Sequence, residues 1–239
     1  MGALTSSCPK PLLAVAGRPI IVHILCGLAQ AGVSEFVVVT GHLGEQIEAA
    51  LGDGRQFGVG ITYRRQAQAQ GTARALLLVR EVLRAGPFVL SWGDILVQPG
   101  FYGALLARFR RHPCEALLAL NPVDDPWQGA AVYTAPAGRV TRITEKPPRG
   151  SSTTKWNNAG VFVFDPVILD YAARLRPSGR GEYELPQAIA AMVDDGRQVF
   201  GLAIAGYWSD VGTPADLQRA EVEFARVTRR TAEPPAGLP

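Results

Sequence analysis

The stretch Phe88-Val89-Leu90-Ser91-Trp92-Gly93-Asp94 sets a carboxylate just past a short apolar run. Phe88 to Leu90 follows Gly86-Pro87 and reads as a strand buried on both faces. Open α/β sheets gather ligand and metal chemistry at the C-terminal ends of their strands. Asp94 is therefore a candidate metal ligand, and Gly93 leaves room for a ligand to approach the backbone. The same pair is also ordinary turn chemistry. Lys10 lies between Pro9 and Pro11, which hold the backbone extended and limit where its ammonium can point. A solvated loop lysine is the competing reading. The run from Gln66 to Ala73 alternates glutamine and alanine before Gly71-Thr72. A glutamine amide offers donors and an acceptor, which suits a nucleobase edge. Gly71 permits close backbone approach, and Thr72 is a good N-cap for the apolar helix that follows. A polar loop with a normal cap competes there too.

Several elements must position these groups. Ile20, Ile21, Ile24, Leu25 and Leu28 recur at helical spacing after Pro19, with Gly32 as the stop and His23 as a structural neighbour. Glu35 to Thr40 is a buried-strand signal, a short helix passes through Ile47 and Leu51, and Val59 to Tyr63 is a second strand. The glycines at 52, 54, 58 and 60 lack dinucleotide-fingerprint spacing and read as a loop. Helix–strand alternation predicts a parallel sheet with helices on both faces. Further on, helices are predicted over Phe101–Phe109, from Pro166, over Leu185–Val193, and from Thr213 to about Val227. Strands are predicted over 116–120, 131–133, 140–143, 161–164 and 199–205. The tail from Thr231 is Pro-rich and reads as frayed.

Composition narrows the classes. The 239 residues carry a net charge of +3 with no basic block, which argues against nucleic acid or membrane binding. No apolar run reaches membrane-spanning length and no signal peptide stands at the start. Cys8, Cys26 and Cys114 are odd in number and lack metal or redox spacing, which fits a reduced cytoplasmic compartment.

Taken together, the chain resembles the sugar-1-phosphate nucleotidyltransferases, the glucose-1-phosphate thymidylyl- and uridylyltransferases and mannose-1-phosphate guanylyltransferases. The matching pieces are Leu4-Thr5-x-x-x-Pro9-Lys10-Pro11, Gln66 with Gly71-Thr72-Ala73, Gly93-Asp94, Glu145-Lys146-Pro147, Asn158-Ala159-Gly160 and Trp208-x-Asp210-x-Gly212-Thr213. Each is weak alone; six in the family's order are specific. The resemblance implies a Rossmann-like α/β fold, a mostly parallel sheet flanked by helices with a small antiparallel sugar-binding elaboration. It implies one domain over 1–230, with a nucleotide-binding half to 120, a sugar-phosphate half from 121, and a disordered tail over 231–239.

It also implies roles. Lys10 resembles the lysine on the nucleotide phosphates. Gln66, Gly71, Thr72 and Gly93 match the nucleotide-binding positions. Asp94 and Asp210 match the aspartates that hold Mg²⁺, 116 positions apart (210 − 94). Gly129 sits where a backbone amide meets the sugar, although Gln128-Gly129-Ala130 departs from the usual aromatic-Gly-Val. Glu145 resembles the sugar-hydroxyl acceptor, Lys146 the lysine on the sugar phosphate, and Asn158 and Gly160 line the sugar pocket. Trp92 replaces the usual residue before Gly-Asp and is expected to tighten the nucleotide pocket. The implied substrates are a nucleoside triphosphate and a sugar 1-phosphate. In the family, a strand and a Gly-rich loop with an arginine precede the Leu-Thr segment, whereas here Leu4 is the fourth residue. The expectation is a truncated start or a degenerate, binding-only or regulatory member. The chain as given is then slow or inactive, with the gap beside the Val37 strand open, filled by a shifted segment, or filled by another copy in a homo-oligomer.

Overall fold

A computed structural model describes residues 7–232. Leu4 and Thr5 of the first motif, and the tail over 233–239, lie outside the described residues. The elements are α1 (Ile20–Gln30), α2 (Gly44–Leu51), α3 (Thr72–Leu77), α4 (Arg80–Leu83), α5 (Phe101–Arg111), α6 (Ile168–Arg174), α7 (Leu185–Asp194) and α8 (Pro214–Ala232). The strands are β1 (Ala14–Val15), β2 (Arg18–Pro19), β3 (Glu35–Thr40), β4 (Gly60–Arg65), β5 (Phe88–Ser91), β6 (Ile95–Val97), β7 (Ala116–Pro122), β8 (Ala130–Thr134), β9 (Val140–Glu145), β10 (Trp156–Phe164), β11 (Val199–Ala203) and β12 (Trp208–Asp210).

β10 is the centre of the main sheet. Its residues alternate between two cores: Val161 and Val163 face one, Phe162 and Phe164 the other. Both faces are covered, so the strand reads as a continuous apolar run. The helices α1, α5 and α8 close the first face; α3, α6 and α7 close the second. β7 pairs antiparallel with β10, and β11 pairs parallel with β7. β5 pairs antiparallel with β10. So β5, β7, β8 and β11 run one way, and β10 and β9 oppose them. This is the α/β sheet expected, with the β8–β9 hairpin as its antiparallel elaboration. β3 and β4 form a separate parallel pair over a third core with Leu25, Ile47 and Leu51.

Several expectations shift. Val37 to Val39 and Phe88 to Leu90 are half-buried rather than buried. β3 pairs only with β4, and β5 only with β10, so each keeps one edge without a sheet neighbour among the described residues. The predicted helix after Gly71 is two short helices, and the N-cap is Gly71; Thr72 is the first helical residue. Lys10 opens a short 3-10 turn, with Leu12 N donating to Pro9 O at 2.9 Å, instead of lying in extended chain. Asn157 to Gly160 are part of β10 itself rather than a lead into it. The three-residue strands β6 and β12 and the β1–β2 hairpin are too short for periodicity to reveal. α8 starts as expected at Thr213, whose Oγ1 accepts from Asp216 N at 3.2 Å, but it runs to Ala232. No helix among the described residues is long and apolar enough to cross a membrane.

Candidate functional site

The cleft is laid out by an irregularity in β10. At Val161–Phe164 one edge of β10 is occupied by β5; at Asn157 that edge is occupied by Ala131 of β8. Between them the register with β7 shifts, at Asn158–Phe162, and Gly160 takes a left-handed φ of +78°. The bulge turns the strand and lets its two edge partners part. Gly93-Asp94 leaves the end of β5, Gly129 enters β8, and residues 158–160 floor the space between.

Three groups converge at the β5 end. β6 and β12 pair antiparallel with Ile95 opposite Asp210, and Val211 N donates to Asp94 O at 3.1 Å. The two aspartates thus meet across a ribbon three residues long. Lys10 Nζ lies 3.8 Å from Asp94 Oδ2. Pro11 packs over Gly93, where an added Cβ would sit 3.2 Å from its Cγ. The tight approach at Gly93 is therefore to the Lys10 segment rather than to open space. Burial raises the Asp94 carboxyl above its usual range, partly offset by Lys10. Burial, then the Asp94 charge, pushes Asp210 up to about 6. Two desolvated carboxylates that repel each other form a place where a divalent cation is favoured. Among the described residues no third His, Cys, Asp or Glu joins them.

The β8–β9 end gathers the other set. Gly129 is required: a Cβ there would overlap Asn157 Oδ1, which accepts from Ala130 N at 3.2 Å. Gly129 O accepts from Lys146 N at 2.7 Å. Lys146 has φ +42°, left-handed for a non-glycine residue, and it stands before Pro147. Such a conformation costs on the order of 1–3 kcal/mol and is typical of functional sites. Asn158 is buried; its Oδ1 accepts from Gly160 N at 3.1 Å and its Nδ2 has no partner. Glu145 ends β9 and lies 3.5 Å from Arg180 Nη2. Burial and the Glu184 charge push Glu145 up to about 7. Trp92 N donates to Gly160 O at 2.9 Å and the indole ring packs edge-on against Phe162. The ring therefore seats on β10, beside Gly160 and Phe162.

The base-reading candidates occupy a third place. Gln66 leaves β4 and its Nε2 donates to Gly71 O at 3.2 Å. Gly71 has φ +100°, and its close approach is to Tyr183 backbone. Thr72 Oγ1 accepts from Leu185 N at 2.9 Å.

A match to the nucleotidyl transferase family model covers residues 2–226. The chain belongs to the sugar-1-phosphate nucleotidyltransferase family. It is similar to the low-salt glycan biosynthesis nucleotidyltransferase Agl11 of Haloferax volcanii, 34% identical over 91% of this chain and 60% of that one. It is also similar to a Streptomyces griseus glucose-1-phosphate thymidylyltransferase, 32% identical over 97% of this chain and 63% of that one. The chain thus spans about three fifths of the length of these curated relatives. A Bacillus anthracis chain described as a glucose-1-phosphate thymidylyltransferase, crystallised with sucrose, superposes with a TM-score of 0.84 at 28% identity, over 95% of this chain and 90% of that one.

The sequence reading names none of Arg180, Tyr183 and Glu184. Glu184 is 5% exposed, and an acid directly before Leu185-Pro186 was the available signal. It also named Asn158 without Asn157, whose side chain braces Gly129.

Proposed function

We propose that this chain joins a sugar 1-phosphate to a nucleoside triphosphate, giving a nucleoside diphosphate sugar and pyrophosphate. The observation that carries the reading is the convergence of Lys10, Asp94 and Asp210 from three distant segments. An ionised oxygen of the sugar phosphate bonds to the α-phosphorus of the triphosphate. The bond from that phosphorus to the bridging oxygen breaks, and pyrophosphate leaves with the electron pair. The nucleophile is already an anion, so the residues need supply no general base. Their task is to hold two anions together and to offset charge on the leaving group.

In this reading the Lys10 ammonium meets the triphosphate and the Lys146 ammonium the sugar phosphate. Asp94 and Asp210 would hold Mg²⁺, which when bound supplies neutralising charge and a template for the phosphates. Gln66 and the Gly71–Thr72 turn take the base. Glu145 accepts from a sugar hydroxyl and Asn158 Nδ2 offers a donor; the Gly129 N–H, expected to meet the sugar, is instead taken by Pro126 O at 3.1 Å, and Gly160 makes room for the Trp92 ring. We read residues 1–120 as the nucleotide half and 121–230 as the sugar half of one domain.

The test is pyrophosphate release with UTP, dTTP, GTP or CTP against glucose 1-phosphate or mannose 1-phosphate. Release should need both substrates and Mg²⁺, and Asp94→Asn should abolish it. Binding of a nucleotide or a sugar phosphate with no release from any pair would overturn the reading in favour of a binding protein.

A further inference from the structure

The segment from Ser178 to Leu185 touches both ends of the site. Tyr183 N donates to Gln70 O at 2.8 Å, and Tyr183 O accepts from Ala73 N at 2.9 Å. The Arg74 guanidinium lies 4.0 Å over the Tyr183 ring. A Cβ added to Gly71 would come within 2.5 Å of Tyr183 O. The base-reading turn and Tyr183 therefore pack as one body. At the other end of the same loop, Arg180 Nε donates to Glu184 Oε1 at 2.9 Å, as does Nη2. Ser178 Oγ donates to that same oxygen at 3.1 Å. The Arg180 Nη2 also faces Glu145 Oε1.

The charges around Glu145 explain why the guanidinium is there. Glu184 and Glu182 face it with like charge, Lys146 and Arg180 with opposite charge. Two carboxylates in a half-dry space do not both stay ionised unless a cation lies between them. Arg180 fills that place with a planar fork that serves Glu145 and Glu184 together, a task a point charge performs poorly.

We propose that Arg180 is a positioning residue, tying Glu145 through the Ser178–Leu185 loop to the Gln66–Thr72 turn so that base and sugar bind cooperatively. The proposal rests on the reading of Glu145 as sugar-hydroxyl acceptor and of that turn as the base site. A base seated on the turn braces Tyr183 and the loop, which holds Arg180 on Glu145. Glu145 is then ionised and aimed before the sugar arrives. Linkage makes the effect reciprocal.

Calorimetry with phosphate-free base probes separates this coupling from direct repulsion between phosphates. Uridine, thymidine and guanosine serve as base probes, and glucose 1-phosphate and mannose 1-phosphate as sugar probes. In the wild type, the nucleoside that binds should tighten the sugar phosphate about fivefold, and the reverse. In Arg180→Gln the nucleoside alone should bind as before, and the coupling factor should fall to about one. Sugar-phosphate binding strengthens as Glu145 ionises, and its half-point in pH should move up by about one unit in this variant. Arg180→Lys should keep the half-point and lose the coupling. Full coupling in Arg180→Gln, an unmoved half-point, or binding of both probes by the wild type with no coupling overturns the proposal and leaves the nucleotidyltransferase reading standing. If Arg180→Gln does not fold, Arg180→Lys decides, and full coupling there overturns it. A wild type that binds neither class of probe overturns the functional reading itself.

Discussion

Replacing Gly160 by alanine tests the link between the β10 bulge and the site. Gly160 has φ +78°, and an alanine held there costs about 1–2 kcal/mol in left-handed strain. Its Cβ would also stand 2.5 Å from Trp92 Cε3 and 3.0 Å from Ile95 Cγ1. Neither neighbour is a free end: Trp92 is pinned by its backbone bond to Gly160 and its ring contact with Phe162, and Ile95 is 1% exposed. Overpacking of this kind adds about 1–3 kcal/mol. The sum is about 2–5 kcal/mol, which lowers the melting temperature by about 4–20 °C in a chain of this size. The two terms can be separated. In a Trp92→Leu background the ring is gone, so Gly160→Ala should cost the strain of about 1–2 kcal/mol and only the milder contact with Ile95 Cγ1 besides. Urea unfolding of the four proteins gives the cycle, and the two changes should be strongly non-additive. The reasoning fails if Gly160→Ala stays within about 0.5 kcal/mol of wild type, or costs the same with and without Trp92.

Other outcomes follow from the same geometry. Asp210→Asn removes a carboxylate that burial and Asp94 disfavour. It should raise the melting temperature in chelator and abolish any rise on adding millimolar Mg²⁺; a lower melting temperature in chelator would refute this. Lys146→Ala should weaken sugar-phosphate binding far more than nucleotide binding, and equal losses in calorimetry would remove Lys146 from its assigned role. Burial pushes the Glu145 carboxyl in the folded chain up to about 7, from an ordinary value of 4.5. Its stabilising share is complete below the unfolded value and is lost as pH rises through about 7, at most about 3 kcal/mol at 1.36 kcal/mol per unit. Glu145→Gln should therefore flatten the decline in stability between pH 5 and 8, and an unchanged slope in denaturant titrations would contradict it.

Much of this was legible from residue types, and the reason differs by residue. β7 and β10 are covered on both faces, so their apolar runs announce strands without any partner being known. Thr213, Pro214 and Asp216 announce a helix start because capping is local chemistry. Asp94 and Asp210 could be named individually from the family resemblance. Their meeting depends on β6 and β12, each three residues long, and no periodicity can register in so short a span. The packing partner of Gly71 is illegible for a similar reason: the backbone its missing Cβ admits is that of Tyr183, 112 positions later (183 − 71).

The buried acids show where stability and chemistry part. Asp94, Asp210 and Glu145 all stand above the ordinary carboxylate range, and in each case burial is the leading cause. A chain optimised only for folding would place amides or apolar groups at such positions. Basic groups only partly offset the burial of two of them: Lys10 at Asp94, and Lys146 with Arg180 at Glu145. Asp210 has no salt bridge of its own within 4.0 Å among the described residues. That residual imbalance has opposite meanings at the two ends of the cleft. At the aspartates, what is lacking is positive charge, which a divalent cation brings. At Glu145 the carboxyl titrates near neutrality, so a ligand hydroxyl that donates to the ionised form pulls the pKa down and is bound more tightly as pH rises. On the proposed reading, a metal at one end and a sugar hydroxyl at the other answer two separate departures from maximal stability.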